Sequence, residues 1–372
     1  MTLKERIQRN LMLLPGWRTD RKIVVIESDD WGSIRTPNKE ALASLKKINP
    51  LIEDDLMTQL DSIESNTDLL ALFEVLHSVK DKNNHPAIIT ANTIVANPDF
   101  DRIAASGFKL YFYEKFTNTL DLYPGRDNVK GLINEGMAEN IYKPQFHGRE
   151  HVNVKQWLSA LQNGNKEILE AFRLKTFGMP LQNKLSKRNN LMSAFDYEDE
   201  SGKSELNKIV IEGTNLFNEI FGFFSASFIA TTYVWDTSLE LTLKKQGIKF
   251  MQGIPYQYIP KPGADWYKRK FHFTGQKNNL GQIYLIRNAP FEPYMNKDNN
   301  DLVEECLQRI AMTFRWGKPA IIGSHRVNFI GSLNENNRTR NLKLLKQLLF
   351  QVVKRWPDVE FMSSDKLGEL IR

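Results

Sequence analysis

The chain predicts an α/β fold in the form of a β/α barrel, and three observations carry that prediction. Strand-like apolar runs alternate with helical patterns along most of the chain. Acids and histidines fall near the C-terminal ends of several of those runs, which is where open α/β sheets and barrels build their sites. The chain has 372 residues and 41% hydrophobic content, enough to bury a full core. Barrels of roughly 250 residues commonly carry insertions within one domain, so residues 1–372 are expected to form a single barrel domain.

Strands are expected at 23–28, 87–91, 108–113, 142–147, 223–229, 248–252, 319–324 and 359–362. Each is an apolar run bounded by turn-forming or charged residues. Helices are expected at 67–82, 153–163, 236–245, 300–315 and 335–355, where apolar residues recur at helical spacing. Two stretches interrupt the alternation. Residues 165–215 are rich in Lys, Asn, Glu and Ser, with helical spacing from Glu205 to Phe217 that suits a partly helical lid. In 256–290, Lys268–Phe273 and Gln282–Arg287 flank a Gly- and Asn-rich loop and read as a hairpin. Both are expected as insertions over the C-terminal mouth, and neither contains internal repeats.

Charge excludes some partners. Fifty basic and 44 acidic residues give a net charge of +6 without a long basic block, whereas a nucleic-acid footprint is normally a clustered stripe. An anionic glycan, including a nucleotide- or lipid-linked sugar, remains compatible. The cluster Trp266-Tyr267-Lys268-Arg269-Lys270 reads as a solvated hairpin face or as a guide for such an anion. A single cysteine, Cys306, excludes an intramolecular disulfide, and the N-terminus lacks the apolar core of a signal peptide. A cytoplasmic address is the resulting expectation. Leu11-Met12-Leu13-Leu14, ended by Pro15-Gly16, falls far below the roughly 18 residues of a membrane span and reads as a staple of the N-terminal helix onto the barrel.

The most informative segment is Lys22-Ile23-Val24-Val25-Ile26-Glu27-Ser28-Asp29-Asp30-Trp31-Gly32. Side chains alternate faces along a strand, so adjacent carboxylates at its mouth can take different tasks, one holding a metal while the other moves protons. Two further segments complete a set: His147-Gly148-Arg149-Glu150-His151 and Ile322-Gly323-Ser324-His325. On a helical turn His147 and His151 would share a face, and one carboxylate with two imidazoles is an ordinary ligand set for a divalent metal with open positions. Singly, each piece has a blander meaning, as a turn, a helix cap or a structural histidine. Together, at strand ends, they point to a site.

On these residues the chain resembles the polysaccharide deacetylase superfamily of carbohydrate esterases, whose members carry Thr-Phe-Asp-Asp-Gly, His-x-x-x-His, Arg-x-Pro-Tyr and Leu-x-x-His segments. The resemblance implies a deformed (β/α) barrel of about seven strands. It makes Asp29 the general base, Asp30, His147 and His151 the metal ligands, and His325 the general acid. The third segment departs from the pattern. Its nearest match, Phe228-Ile229-Ala230-Thr231-Thr232-Tyr233-Val234-Trp235-Asp236, keeps Tyr233, whose backbone N–H the resemblance assigns to the oxyanion, but has no Arg to orient the base. Zinc suits the mixed N and O ligands best, and Co2+, Ni2+ or Fe2+ fits the same set.

Arg149 and Arg326 each sit beside a motif histidine and are the candidates to supply the missing positive charge. Trp31, Trp235 and Tyr256 lie near strand ends, where aromatic rings stack on sugars or pack the barrel. Glu27 shares the strand parity of Asp29 and is either a satisfied inward acid or a partner for a basic site residue. His77, His85 and His272 fall outside the set and read as structural. The leading expectation is a metal-dependent hydrolase that removes N- or O-linked acetyl groups from a carbohydrate or glycan precursor. The alternatives are a glycosidase pairing Asp29 with Glu27 or Asp236, and an inactive carbohydrate-binding protein.

Overall fold

A computed structural model describes residues 3–185, 188, 190–296 and 301–372. Residues 1 and 2 of the N-terminal segment, residues 186, 187 and 189 of the first expected insertion, and residue 300 of the expected helix 300–315 lie outside the described residues.

Nine strands form one parallel sheet: β1 (Ile23–Trp31), β2 (Ile89–Ile94), β3 (Tyr142–Gly148), β4 (Ser227–Phe228), β5 (Phe250–Gly253), β6 (Ile283–Ile286), β7 (Ala289–Pro290), β8 (Ala320–His325) and β9 (Glu360–Met362). The order is β6-β5-β4-β3-β2-β1-β8-β7, with β9 beside the start of β1. The two ends of that order are consecutive in the chain, separated only by Arg287 and Asn288. Arg287 N–H donates to Gly253 O at 2.8 Å and Asn288 N–H donates to Ile321 O at 3.0 Å. One segment thus ties both margins of the curled sheet, and the expected deformed barrel is the observed architecture. The barrel strands absent from the expected set are β6, read as a hairpin arm, and β7, whose two residues are too short to stand out as an apolar run.

β1 is buried along its whole length and shows why the site forms where it does. Ile23 and Val25 pack with Phe250, Ile283, Leu285 and Ile321 inside the barrel. Val24 and Ile26 pack with Leu72, Leu345 and Ile322 in the layer between sheet and helices. The alternation places Glu27 and Asp29 in the barrel, above an apolar floor. Helices α1 (Leu3–Leu13), α2 (Asn66–His77), α3 (Val129–Ala138), α4 (Glu200–Phe221), α5 (Leu302–Arg315) and α6 (Glu335–Arg355) lie outside the sheet, α2 packing on α3 and α6, and α5 on α6. Ser65 and Asp68 form a reciprocal capping box at the start of α2. Gly222 ends α4 at φ +78°, a left-handed position that suits glycine.

Three expectations are corrected. The run 108–113 is not a barrel strand: Gly107 and Phe108 take φ of 64° and 61°, and only Tyr113–Lys115 pairs, antiparallel, with Ala96–Pro98. Lys268–Phe271 does form a hairpin, but with Tyr256–Ile259, whereas β6 joins the parallel sheet beside β5. Burial explains the choice, since Ile283 and Leu285 enter the barrel while Lys268 and Arg269 face solvent. In α1, Met12 and Leu13 are half-buried, and the helix is tied down by Trp316 Nε1 donating to Asn10 Oδ1 at 2.7 Å. Leu11 and Leu14 face outward. Among the described residues no helix is long and apolar enough to cross a membrane.

Candidate metal centre and its acid–base pair

Asp30, His147 and His151 converge at the C-terminal mouth of the barrel, all buried, with one ligand atom of each within 4.8 Å of the others. Asp30 Oδ1 lies 3.3 Å from His147 Nε2 and 3.0 Å from His151 Nε2. Strand irregularities bring them together. The β1–β2 ladder slips between Ser28 and Trp31, and Asp30 sits in that bulge at φ 76°, so its carboxylate reaches the mouth alongside that of Asp29. The β2–β3 ladder slips likewise, with Thr93 opposite Phe146 but Ile94 opposite Gly148. His147 therefore ends a strand, and His151 follows in a loop pinned by Val95 N–H on Gly148 O and Ala96 N–H on Arg149 O. The expected helical turn is absent, and the two imidazoles meet edge to face, 5.2 Å apart, by way of that loop.

The donor set fits a cation. His147 Nδ1 donates to Ile229 O at 2.9 Å, because a carbonyl can only accept, which leaves Nε2 facing Asp30 Oδ1. A histidine anchored in this way through one nitrogen is oriented to offer the other to a metal. Burial acts to raise the Asp30 carboxyl, yet the histidines beside it hold it well below the usual carboxylate range. Burial pushes His151 down toward the neutral form that a metal ligand requires. Its Nδ1 is buried and has no hydrogen-bond partner among the described residues.

Asp29 is held differently. Arg287, from the seam between β6 and β7, donates through Nη2 to Asp29 Oδ1 at 2.6 Å, through Nη1 to Oδ2 at 2.8 Å and through Nε to Glu27 Oε2 at 2.7 Å. Asn92 Nδ2 adds a bond to Asp29 Oδ1 at 2.8 Å. Burial works to raise the Asp29 carboxyl, and the Arg287 charge and hydrogen bonds overcome it, bringing it down to about 2. Glu27, fully buried and also bonded by Ser364, is pushed up by that burial. Arg287 is thus the orienting cation, and the partner of Glu27.

Strand register supplies the last member, because Asp29 pairs with His325 across β1 and β8. His325 Nε2 lies 3.8 Å from Asp29 Oδ2, and Nδ1 donates to Glu292 Oε1 at 2.6 Å. Asn328 Nδ2 holds the other Glu292 oxygen at 2.7 Å. Burial alone would lower His325, but Glu292, followed by Asp30 and Asp29, raises it to about 10, so the ring carries both protons. Arg287, Glu292 and Asn92 join this site, and sequence reasoning missed them. Arg287 had a signal, since Ile283-Tyr284-Leu285-Ile286-Arg287 is an apolar run ending in a charge, as β1 is.

The remaining sequence candidates are placed elsewhere. Arg149 is committed to Glu150, at 2.5 Å, and to Glu212; Arg326 is committed to Asp61 and Glu64, both at 2.9 Å. Neither orients Asp29. Trp31 is fully buried in the core, its Nε1 donating to Ser28 Oγ at 3.0 Å, and Trp235 is buried with its ring stacked on His272. Neither offers a face to a sugar. Tyr233 reaches the site through its hydroxyl, 3.3 Å from Arg287 Nη1, but its backbone N–H donates to Ala230 O at 3.0 Å within a short 3-10 turn. That turn, with Thr232 and Tyr233 at φ 53° and 61°, takes up the donor expected for an oxyanion. Asp236 is engaged by Tyr197 and Ser238, and Glu27 shares Arg287 with Asp29.

No protein-family model matches the chain, and no curated protein matches it. Among solved structures it is similar to a protein from Parabacteroides distasonis assigned as a glycoside hydrolase/deacetylase, at 10% identity over 96% of this chain and 72% of that one, with a TM-score of 0.50. It is also similar to proteins assigned as polysaccharide deacetylases from Mycobacterium smegmatis (12% identity, 96% and 93% of the two chains, TM-score 0.44) and Pseudomonas aeruginosa PAO1 (9%, 94% and 91%, 0.48). At such identities the likeness is one of fold. The curled parallel sheet, read with the Parabacteroides distasonis structure, gives this chain a deformed β/α barrel fold.

Proposed function

We propose that the protein is a metal-dependent hydrolase that removes N- or O-linked acetyl groups from a carbohydrate or glycan precursor, with residues 1–372 acting as one barrel domain. The observation that carries this reading is the adjacency of two units at one mouth: the buried Asp30–His147–His151 set, and Asp29 paired in register with His325. When bound by that set, a divalent metal, zinc by preference, would polarise the acyl carbonyl and make a neighbouring water more acidic. Asp29, kept ionised by Arg287, takes the proton of the attacking water. His325 carries its second proton on Nε2, facing Asp29, because Glu292 holds the proton on Nδ1. It delivers the Nε2 proton to the departing amine or alcohol as the C–N or C–O bond breaks. A cytoplasmic address, and hence a precursor in place of a finished wall polymer, belongs to the same reading.

Elemental analysis of the purified protein, followed by an acetate-release screen over acetylated sugars and nucleotide sugars, tests it. About one equivalent of divalent metal and stoichiometric acetate are expected. New reducing ends without acetate would sink the proposal.

A further inference from the structure

The loop that leaves Asp30 ends on a buried cation whose donors the fold leaves largely idle. Gly32 N–H is held by Glu64 Oε1 at 3.0 Å and Ile34 N–H by Asn97 Oδ1 at 2.8 Å, so Arg35 follows the metal set on a braced segment. Arg35 is 8% exposed. Its hydrogen bonding among the described residues is one contact at the limit of range, from Nη1 to Gly178 O at 3.5 Å. Its Nε lies 3.6 Å from Asp61 Oδ2, too far for a hydrogen bond, and both Asp61 oxygens already accept from Arg326, at 3.2 and 2.9 Å. Arg126, Arg287 and Arg326 are as deeply buried, yet each makes at least three hydrogen bonds of 3.2 Å or shorter. A guanidinium carries five N–H donors and loses hydration on burial, so idle donors on a buried one mark a place for an acceptor from outside the fold.

A second idle donor comes from the opposite wall, in the turn Pro293–Met295 that follows β7. Tyr294 is also 8% exposed, and its hydroxyl makes no hydrogen bond among the described residues. Its backbone is fixed from the side of His325: Tyr294 N–H donates to Asn328 Oδ1 at 2.9 Å, while Asn328 Nδ2 holds Glu292 Oε2 at 2.7 Å and His325 O at 3.0 Å. The ring packs with Leu60 and Val327, the neighbours of Asp61 and Arg326. Burial pushes the hydroxyl above the usual phenol range; the charges of Glu292, Asp30 and Asp61 act the same way, and that of Arg35 acts against them. The hydroxyl therefore keeps its proton, among the metal set, the partner of His325 and Arg35. From the other side burial lowers His151, and the charges of His147 and Arg35 add to that lowering. Two unused donors thus flank one mouth, and a few convergent polar groups of this kind fix the orientation of a bound ligand.

We propose that Arg35 and Tyr294 form a subsite for an anionic oxygen group, carboxylate or phosphate, carried by the substrate beside the bond cleaved at Asp29 and His325. The deacetylase reading is needed only to name the rest of that substrate. A planar fork and a neutral hydroxyl serve either anion. Binding is tested apart from turnover with inorganic phosphate and malonate, by titration calorimetry on the full chain as purified. Hydrogen bonds to a charged group set the expected size. Arg35→Met should weaken both anions at least ~10-fold, and Tyr294→Phe, which removes no charge, ~3–10-fold, with metal content and circular dichroism unchanged. Arg35→Lys keeps the charge without the fork and should recover only part of the loss. The anion held more tightly by the unaltered protein names the group. Absence of binding by the unaltered protein, or affinities within threefold of it in Arg35→Met, overturns the proposal, since a bound metal would then receive the anion by itself. Full recovery in Arg35→Lys with Tyr294→Phe inert overturns it as well, because a general field would explain both results. Should Arg35→Met fail to fold, Tyr294→Phe and Arg35→Lys decide, and affinities within threefold in both overturn the subsite. Anion binding through Arg35 with no acetate released from any acetylated sugar would sink the deacetylase reading and leave the subsite standing.

Discussion

Asp29 and Asp30 are neighbours in sequence with opposite surroundings, and the contrast explains how one strand end serves two tasks. Asp30 faces two imidazoles, a donor set that fits a cation. Asp29 is gripped by a guanidinium and an amide, which fix its orientation and its charge. The bulge at Asp30 makes this arrangement possible. In regular alternation the second carboxylate would point into the helix layer, where an unpaired charge is costly. The left-handed backbone at Asp30 costs something of its own, of order 1–3 kcal/mol, and such strain concentrates at functional sites.

The sharpest way to break this division is to remove a ligand. His147→Ala and Asp30→Ala should abolish metal binding, measured by elemental analysis, and reduce turnover beyond the ~10²–10⁴-fold typical of a lost acid or base. Full metal occupancy in both variants would show that the convergence is incidental. Asp29→Asn and His325→Ala should keep the metal and lose about 10²–10⁴-fold in kcat. Loss of metal from Asp29→Asn would mean the two carboxylates share one task.

Arg287 lies at the seam and reports on both stability and chemistry. Arg287→Met strands two buried carboxylates, and breaking a buried pair in this way costs about 3–5 kcal/mol, seen as a lower denaturant midpoint. Adding Glu27→Gln removes one of the stranded charges and should recover roughly 1–3 kcal/mol without restoring kcat, because Asp29 still lacks its orienting cation. Recovery of activity in the double variant would make Arg287 purely structural. Glu292→Gln is milder: His325 keeps a hydrogen bond at Nδ1 but loses the charge that favours its protonated form, and kcat should fall about 10–100-fold with the substrate KM nearly unchanged.

The same contrast separates what the chain announces from what only folding reveals. Asp29, Asp30, His147, His151 and His325 were legible because each ends an apolar run or repeats a spacing, and β1, β3, β8 and α6 were legible from their periodicity. The deformed barrel followed from these, and from the resemblance they carry. Arg287 was visible as a charge ending an apolar run, but its target was not legible, for a physical reason. It acts on residues 258 and 260 positions away through the contact of β6 and β7 with opposite margins of the sheet, and no local pattern encodes a seam. Glu292 is similar, since a two-residue strand precedes it. Arg149, two residues from each metal-set histidine, misled because the loop after β3 carries it onto Glu150 and Glu212, and Arg326 misled because the residue next to a histidine along a strand end faces away from it.

The smallest expected effect tests that last point at the residue beside the ligand itself. Trp31 follows Asp30 directly, and a sugar-stacking role would require an open ring face, whereas its indole is wholly buried and meets Tyr142 edge to face at 5.4 Å. Trp31→Phe keeps an aromatic ring in the core and loses the bond from Nε1 to Ser28 Oγ, worth about 1 kcal/mol, together with some packing volume. Stability should fall by roughly 1–2 kcal/mol in denaturant titration, while kcat/KM on a soluble acetylated sugar stays within about twofold. A stacking platform would behave in the opposite sense, with KM raised several-fold and the denaturant midpoint barely moved. That outcome would mean Trp31 leaves the core when substrate binds, and that the β1 bulge opens with it.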